Sequence, residues 1–316
     1  MDAVVVGAGV VGLSTAIRLQ EAGWKVRVWT AHHPLRTVSA VAAAIWYPYR
    51  ARPPKRVYGW ACRTYDAFRE LEKEDPRNGV RMVAGVEYWR NAKPKMWHDK
   101  QLREAAQCQE LPCDREGFAG RHRFTAPVAE MPVYLSWLMR RVADAGGVIE
   151  SRRITALADV RLKGKTRPLV VNCTGLGALQ VMLDRDMYPI RGQVVIVENP
   201  GLTEWVAAVD EETATYVIPR SRDCVLGGTS QKYDWNLEPD ADSARSILER
   251  CIALVPEVAG ARVLEQRVGL RPARKKVCLE ADETQRVIHN YGHGGAGMTL
   301  SWGCADEVAK IAEKLR

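Results

Sequence analysis

The sequence predicts an α/β protein: a parallel-sheet domain that is discontinuous along the chain, joined to an α+β domain built mainly on antiparallel strands. Three observations predict it. The chain opens on a short apolar strand, Ala3–Val6, that runs through Gly7-x-Gly9-x-x-Gly12 straight into a helix. An apolar strand ending in a small polar turn, Pro168–Gly175 (PLVVNCTG), stands mid-chain. Another, Val287–Tyr291, stands near the end and is followed by the glycine loop Gly292–Gly297 and a helix. Two blocks of different character separate these pieces, and 316 residues suit about two domains of roughly 150 residues each.

Each glycine of the opening motif has a mechanical task. Gly7 allows a tight turn off the strand, Gly9 allows backbone to approach a pyrophosphate, and Gly12 allows close packing of helix on strand. The helix N-terminus adds free N–H groups and the positive end of the dipole. The stretch therefore reads as a Rossmann-like dinucleotide site, with the dinucleotide left open. The helix carries a buried stripe at Leu13, Ala16, Ile17 and Leu19 and stops at Gly23. Lys25–Trp29 alternates as a second strand. Its end offers Thr30, Ala31 and His32 where a nicotinamide site needs an acidic residue for the ribose, which disfavours that cofactor.

Ser39–Tyr49 (SAVAAAIWYPY) is a run of small residues closed by Trp46, Tyr47 and Pro48, suited to backbone lying against a flat ring. A helix is predicted from Lys55 to about Glu74, then strand pieces at Val80–Val83 and Val86–Trp89. Asn91–Gly120 shows weak periodicity, and no function is placed there. Met131–Ala145 is an amphipathic helix and Val148–Ile154 a strand. Arg191–Val197, Thr215–Pro219 and Cys224–Thr229 read as an antiparallel sheet. A helix at Ala241–Leu254 leads to the strand-turn Gln266–Pro272, and Thr299–Leu315 forms the last helix. The resulting division is 1–50, 131–180 and 284–316 for the dinucleotide domain, with 51–130 and 181–283 for the other.

Composition narrows the function. The net charge of +8 and pI near 9.1 raise nucleic acid as a partner. The basic residues are scattered, however, and do not interleave with aromatics as a stacking platform would. A solvated basic face that draws small anions is the better reading. No apolar run approaches the ~18 residues needed to span a bilayer. The opening residues carry no basic region ahead of an apolar run, so a cytoplasmic protein is expected. The eight cysteines and six histidines show no metal-ligand spacing, so no metal is expected. Free thiols are the default, with Cys108–Cys113 and Cys224–Cys278 as the two pairs that a bridge would join.

With its pieces in order, the chain resembles the flavin-dependent D-amino-acid oxidase family nearly end to end. The resemblance rests on GAGVVGLS, VAAAIWYPY, VVNCTG, RGQ, TYVIP, LGGT with DWN, VGLRP, and HNYGHGGAGMTLSWGCA. It implies non-covalent FAD as the cofactor. Gly7, Gly9 and Gly12 would hold the pyrophosphate, Val10 and Val11 would also bind the cofactor, and Ala43, Ala44, Ile45 and Trp46 would lie beside the isoalloxazine. Ile154, Thr174 and Gly175 would also touch the cofactor, and Gly294, Gly295, Gly297, Met298 and Thr299 would face the pyrimidine end.

Substrate roles carry over one residue at a time. Arg271 matches the arginine that grips the α-carboxylate, a task suited to its planar fork. Tyr216 matches the tyrosine that also reaches that carboxylate, and the Gly295 carbonyl would accept from the substrate amine. The implied reaction passes a hydride from Cα to flavin N5; the imino acid hydrolyses to a 2-oxo acid and ammonia, and dioxygen becomes hydrogen peroxide. The chain departs from the family in two places. Asp210–Thr215 is short and carries no aromatic lid residue, which implies an open entrance and fast product release. Ser230 stands where D-aspartate-specific relatives carry an arginine, which favours neutral D-amino acids over D-aspartate. Oxidation of glycine or a secondary amine is the alternative within the fold. A homo-oligomer is compatible with all of this.

Overall fold

The computed structural model describes residues 1–162, 167–209 and 214–316. Strand β1 (Asp2–Val6) ends in Gly7 at φ +110°, where a Cβ would lie 2.3 Å from the Cys173 carbonyl oxygen. A Cβ on Gly12 would lie 1.9 Å from the Gly7 carbonyl oxygen. Only glycine fits either place, so β1 and helix α1 (Val10–Glu21) close directly on each other. The chain turns back at Gly23 into β2 (Lys25–Thr30).

The small-residue run begins with the single turn α2 (Val38–Val41). Helix α3 (Pro54–Glu74) starts with proline in its first turn and buries Val57, Trp60, Ala61, Phe68 and Leu71, a helical stripe. The two strand pieces expected after it are one strand, β3 (Val80–Trp89). The apparent break falls at Gly85, which is small because the Trp205 indole lies on it, 2.3 Å from where a Cβ would be. Asn91–Gly120 holds the short α4 (Lys100–Ala106) and β4 (Gln109–Leu111). The sequence reading did not anticipate β5 (Gly120–Ala129).

Helix α5 (Met131–Asp144) falls as expected, whereas β6 (Val148–Ser151) stops three residues short of Ile154. Then come β7 (Leu169–Asn172), α6 (Ala178–Val181), β8 (Tyr188–Glu198) and an unanticipated β9 (Trp205–Val209). Strands β10 (Ala214–Pro219), β11 (Asp223–Gly227) and the short β12 (Gln231–Lys232) precede α7 (Ala241–Leu254). The Asp240 side chain caps α7 by accepting from the Ser243 N–H. The 20-residue β13 (Val263–Asp282), β14 (Val287–His293) and α8 (Gly297–Lys314) complete the chain.

All of these strands share one sheet, in the order β4-β5-β3-β9-β10-β11-β8-β13-β14-β7-β1-β2-β6, with β12 on β8. The end from β14 to β6 is parallel. The rest is antiparallel except where β3 meets β9. Strand β13 joins the two regimes: it pairs with β8 as far as Ala273, which also faces His293 of β14, then shifts register and pairs with β14 from Cys278 onward. Helices α1, α3, α5 and α8 pack together over the parallel end, and α3 meets α8 where Gly303 sits against the Trp60 backbone.

The eight cysteines are free thiols. Cys224 is buried beneath α7, whereas Cys278 lies with Ala178, Met187 and Tyr291 in a separate cluster, so the suggested pair does not meet. No helix among the described residues is long and apolar enough to cross a membrane.

Candidate active site

A cavity of about 670 Å³ runs from the C-terminal ends of the parallel strands onto the antiparallel face. Its two ends are built differently. At the first end, helix α1 begins at Gly9 with no side-chain cap and no acidic residue in its first turn. The Ser39 hydroxyl takes only the Val10 N–H, at 3.0 Å, so the dipole end faces the cavity. Thr30, Ala31 and His32 border this end together with Arg36, Arg152 and Arg153. Nearby, Asn290 Oδ1 and His293 Nε2 are buried in the cavity wall without partners. Burial alone pulls the His293 imidazole down to about 4.

At the other end the site is assembled on glycines. Tyr216 on β10 pairs with Gly227 on β11, and a Cβ at Gly227 would stand 2.0 Å from the tyrosine ring. Gly192 on β8 lies under the Arg271 guanidinium, whose nitrogens stand 2.3 Å from where a Cβ would be. A Cβ at Gly295 would come within 2.9 Å of the Tyr49 ring and 3.3 Å of Arg271 Cδ. The glycines of RGQ, LGGT and GHGGAG thus make room for the side chains that the site uses.

Arg271 Nη1 donates to the carbonyls of Thr229 at 2.9 Å and Arg191 at 3.4 Å, which aims the guanidinium. No carboxylate among the described residues pairs with it, so its charge faces the cavity. Burial raises the Tyr216 hydroxyl above its usual range, and the nearby Arg271 charge partly offsets this, leaving a protonated donor beside a cation. The Tyr49 hydroxyl reaches Ser230 Oγ at 3.5 Å.

Cross-strand register extends the site sideways. His122 on β5, Glu87 on β3, Ala207 on β9, Tyr216 on β10 and Gly227 on β11 are successive direct partners, so their side chains project from one face. The sequence reading missed Glu87, because a glutamate within a strand-like run reads as solvent-facing. It is fully buried, and it is the single carboxylate on the cavity wall among the described residues.

Comparison with known proteins now bears on this geometry. The model of the family described as "FAD dependent oxidoreductase" matches residues 2–311. The chain belongs to the FAD-dependent oxidoreductase family. It is 50% identical to a D-amino-acid oxidase of Rubrobacter xylanophilus, over 98% of this chain and 95% of that protein. It is 42% identical to a D-amino-acid oxidase of Streptomyces coelicolor, over 98% and 96% of the two chains. In fold it is similar to the glycine oxidase of Bacillus cereus: TM-score 0.82 at 20% identity, over 100% of this chain and 95% of the other.

The residues present fit FAD. An uncapped helix start on a glycine cradle suits a pyrophosphate, and the orphaned Asn290 and His293 atoms await polar partners. Of the residues expected to hold cofactor in this FAD-dependent oxidoreductase, Gly9, Val10, Val11, Gly12, Ala43, Ala44 and Ile45 border the cavity. So do Ile154, Thr174, Gly175, Gly294, Gly295, Gly297 and Met298, with Tyr216 and Arg271 at the far end. Gly7 lies just behind the cavity, closed against Cys173.

Two expectations are corrected. Trp46 was expected beside the ring, but it is fully buried with its Nε1 donating to the Ala61 carbonyl and its edge on Tyr65. Ala44, at φ +57°, turns the run so that Ile45 and Tyr47 face the cavity and Trp46 faces the core. Thr299 does not border the cavity either. Its hydroxyl accepts from the Tyr47 N–H and donates to the Tyr47 carbonyl, both at 3.0 Å, and so anchors the run from behind. The short lid at Asp210–Thr215 lies mostly outside the described residues.

Proposed function

We propose that this chain oxidises neutral D-amino acids to 2-oxo acids and ammonia, with dioxygen as electron acceptor and hydrogen peroxide as by-product. The observation that carries this reading is the Arg271–Tyr216 pair: a cation without a carboxylate partner among the described residues and a protonated hydroxyl, both facing the cavity from a glycine floor. Bound FAD supplies a two-electron acceptor that can take a hydride and later reduce dioxygen.

The protein's own contribution is positional. Arg271 presents two N–H donors to the α-carboxylate, and Tyr216 donates a further hydrogen bond to it. The Gly295 carbonyl accepts from the amine, which with the carboxylate clamp fixes two of the four Cα substituents and so aims the Cα–H. The apolar walls at Ile45, Trp205, Ala207 and Ile218 exclude water and receive the side chain. None of these steps needs a strong protein base: Glu87 already accepts with both oxygens. Ser230 offers no cation for an acidic side chain, which favours neutral substrates over D-aspartate. The division into 1–50, 131–180 and 284–316 for FAD and 51–130 and 181–283 for substrate belongs to the same proposal. So do the individual residue roles, a cytoplasmic location and self-association.

A peroxide-coupled panel of D-alanine, D-aspartate, glycine and L-alanine tests the reading. D-alanine should be oxidised and should bleach the yellow protein anaerobically, whereas L-alanine should do neither. Preferential oxidation of glycine would favour the amine-oxidase alternative.

A further inference from the structure

The cavity wall carries one acidic group among the described residues, and its surroundings are unusual. Glu87 is fully buried, yet it accepts a hydrogen bond from the Tyr47 hydroxyl at 2.5 Å and another from Trp97 Nε1 at 2.5 Å. His122 Nδ1 lies 3.3 Å from the same oxygen as Trp97, and its Nε2 has no partner. No lysine or arginine among the described residues pairs with this carboxylate. The Tyr47 hydroxyl is held well above its ordinary range, by burial first and then by the Glu87 charge. A carboxylate with its acceptors filled in this way is a poor ligand. What it can still offer a substrate is charge rather than contact.

The register says where that charge stands. Glu87, Ala207 and Tyr216 are successive partners on three adjacent strands, with side chains on the same face. Two strand spacings separate the backbones of Glu87 and Tyr216, about 10 Å, and only the Ala207 methyl projects between them. A substrate held by Arg271 and Tyr216 at its α-carboxylate has this gap as one wall of the space for its side chain.

We propose that Glu87 is a specificity-determining residue that rejects D-amino acids with an acidic side chain. The inference rests on the proposed oxidation of D-amino acids, and it differs from the argument on Ser230. That position merely fails to attract a second carboxylate, whereas Glu87 opposes it through space. The seal of Tyr47, Trp97 and His122 keeps the charge in place and out of contact with substrate. Arg271 compensates only the α-carboxylate, so the distal carboxylate meets Glu87 alone.

The test compares near-isosteric pairs on the holoenzyme: D-glutamine with D-glutamate, and D-asparagine with D-aspartate. Wild type should favour the amide in each pair. Glu87→Gln retains the bonds from Trp97 and His122 and lets Tyr47 accept where it had donated, so chiefly the charge is lost. It should narrow both kcat/KM ratios by about tenfold, the effect of removing a like charge roughly 10 Å away at an effective dielectric of about 20. Tyr47→Phe keeps the charge and should leave both ratios near wild type. Binding of succinate relative to butyrate, read from the flavin absorbance, should improve in Glu87→Gln by a similar factor. Unchanged ratios in Glu87→Gln overturn the inference, and so does a wild type that handles amide and acid equally, without recourse to any variant. Turnover of D-alanine with an unaltered amide-to-acid ratio defeats this inference alone. A wild type inert toward D-alanine defeats the functional reading as well.

Discussion

Replacing Gly192 with alanine should damage turnover while sparing the fold. The new Cβ would stand 2.3 Å from both terminal nitrogens of Arg271, where ordinary contact begins near 3.4 Å, so the guanidinium must retreat by about 1 Å. The atoms displaced are the far end of a flexible side chain. Gly192 pairs within β8 and β13 at an ordinary φ, so the backbone need not move. A 1 Å misplacement of a substrate-positioning group costs about 10²-fold in rate. That corresponds to roughly 2.7 kcal/mol of transition-state stabilisation. The assay is kcat/KM for D-alanine beside the thermal midpoint and flavin content of the same preparation. Gly192→Ala should show wild-type melting and full flavin with kcat/KM reduced about a hundredfold. A variant with wild-type kcat/KM would refute the claim that Gly192 makes room for the clamp, and one that lost flavin or stability in step with activity would refute its local character.

Other outcomes follow from the same geometry. Arg271→Leu should keep its flavin and lose about 10² to 10³ in kcat/KM for D-alanine, as for a buried charge pair deprived of one partner. Tyr216→Phe removes one hydrogen bond to a charged group, about 1.5–3 kcal/mol, and should appear mainly as a raised KM in steady-state kinetics. Gly12→Ala drives a methyl into the Gly7 carbonyl, so the purified protein should be colourless or insoluble, as judged by flavin absorbance. His293 is held neutral by burial at about 4, against 6.5 when unfolded. As pH falls through that interval the unfolded chain takes up the proton first, so stability should decline by about 3 kcal/mol between 6.5 and 4. Urea titrations of the apoprotein across that range should show the decline, and His293→Gln should flatten it.

Local rules made some of this legible in the sequence. Gly12 against the Gly7 carbonyl, the helix Ala241–Leu254 and the alternation of TYVIP each follow from neighbours a few residues away, and the 7-9-12 spacing is legible although Gly7 also closes on the distant Cys173 carbonyl. Arg271 and Tyr216 were reached through family likeness, because a single arginine or tyrosine has no local signature. What sequence reading missed was decided by partners far along the chain. Gly85 looked like a break because the Trp205 ring that needs the space lies 120 positions later. Strand β5 was hidden because its inward positions include His122, a polar residue in an apolar row. Its inward placement makes sense only opposite Glu87. Trp46 reads as a ring-facing residue because nothing local shows that Ala44 takes a positive φ, after which Ile45 and Tyr47 border the cavity and Trp46 lies in the core.

The single sheet also constrains the order in which the protein can be completed on the ribosome. Strand β1 is made well before its neighbour β7, which has β14 on its other side, a strand synthesised more than 100 residues after β7. The wall that carries Asn290 and His293, and the helix α8 that covers α1, are made after the other elements of this fold. The nascent chain must therefore hold the glycine motif with one flank uncovered until β14 and α8 have emerged. Capture of FAD then becomes a closing event of biogenesis, and loss of even the final strand and helix should yield an apoprotein that cannot mature.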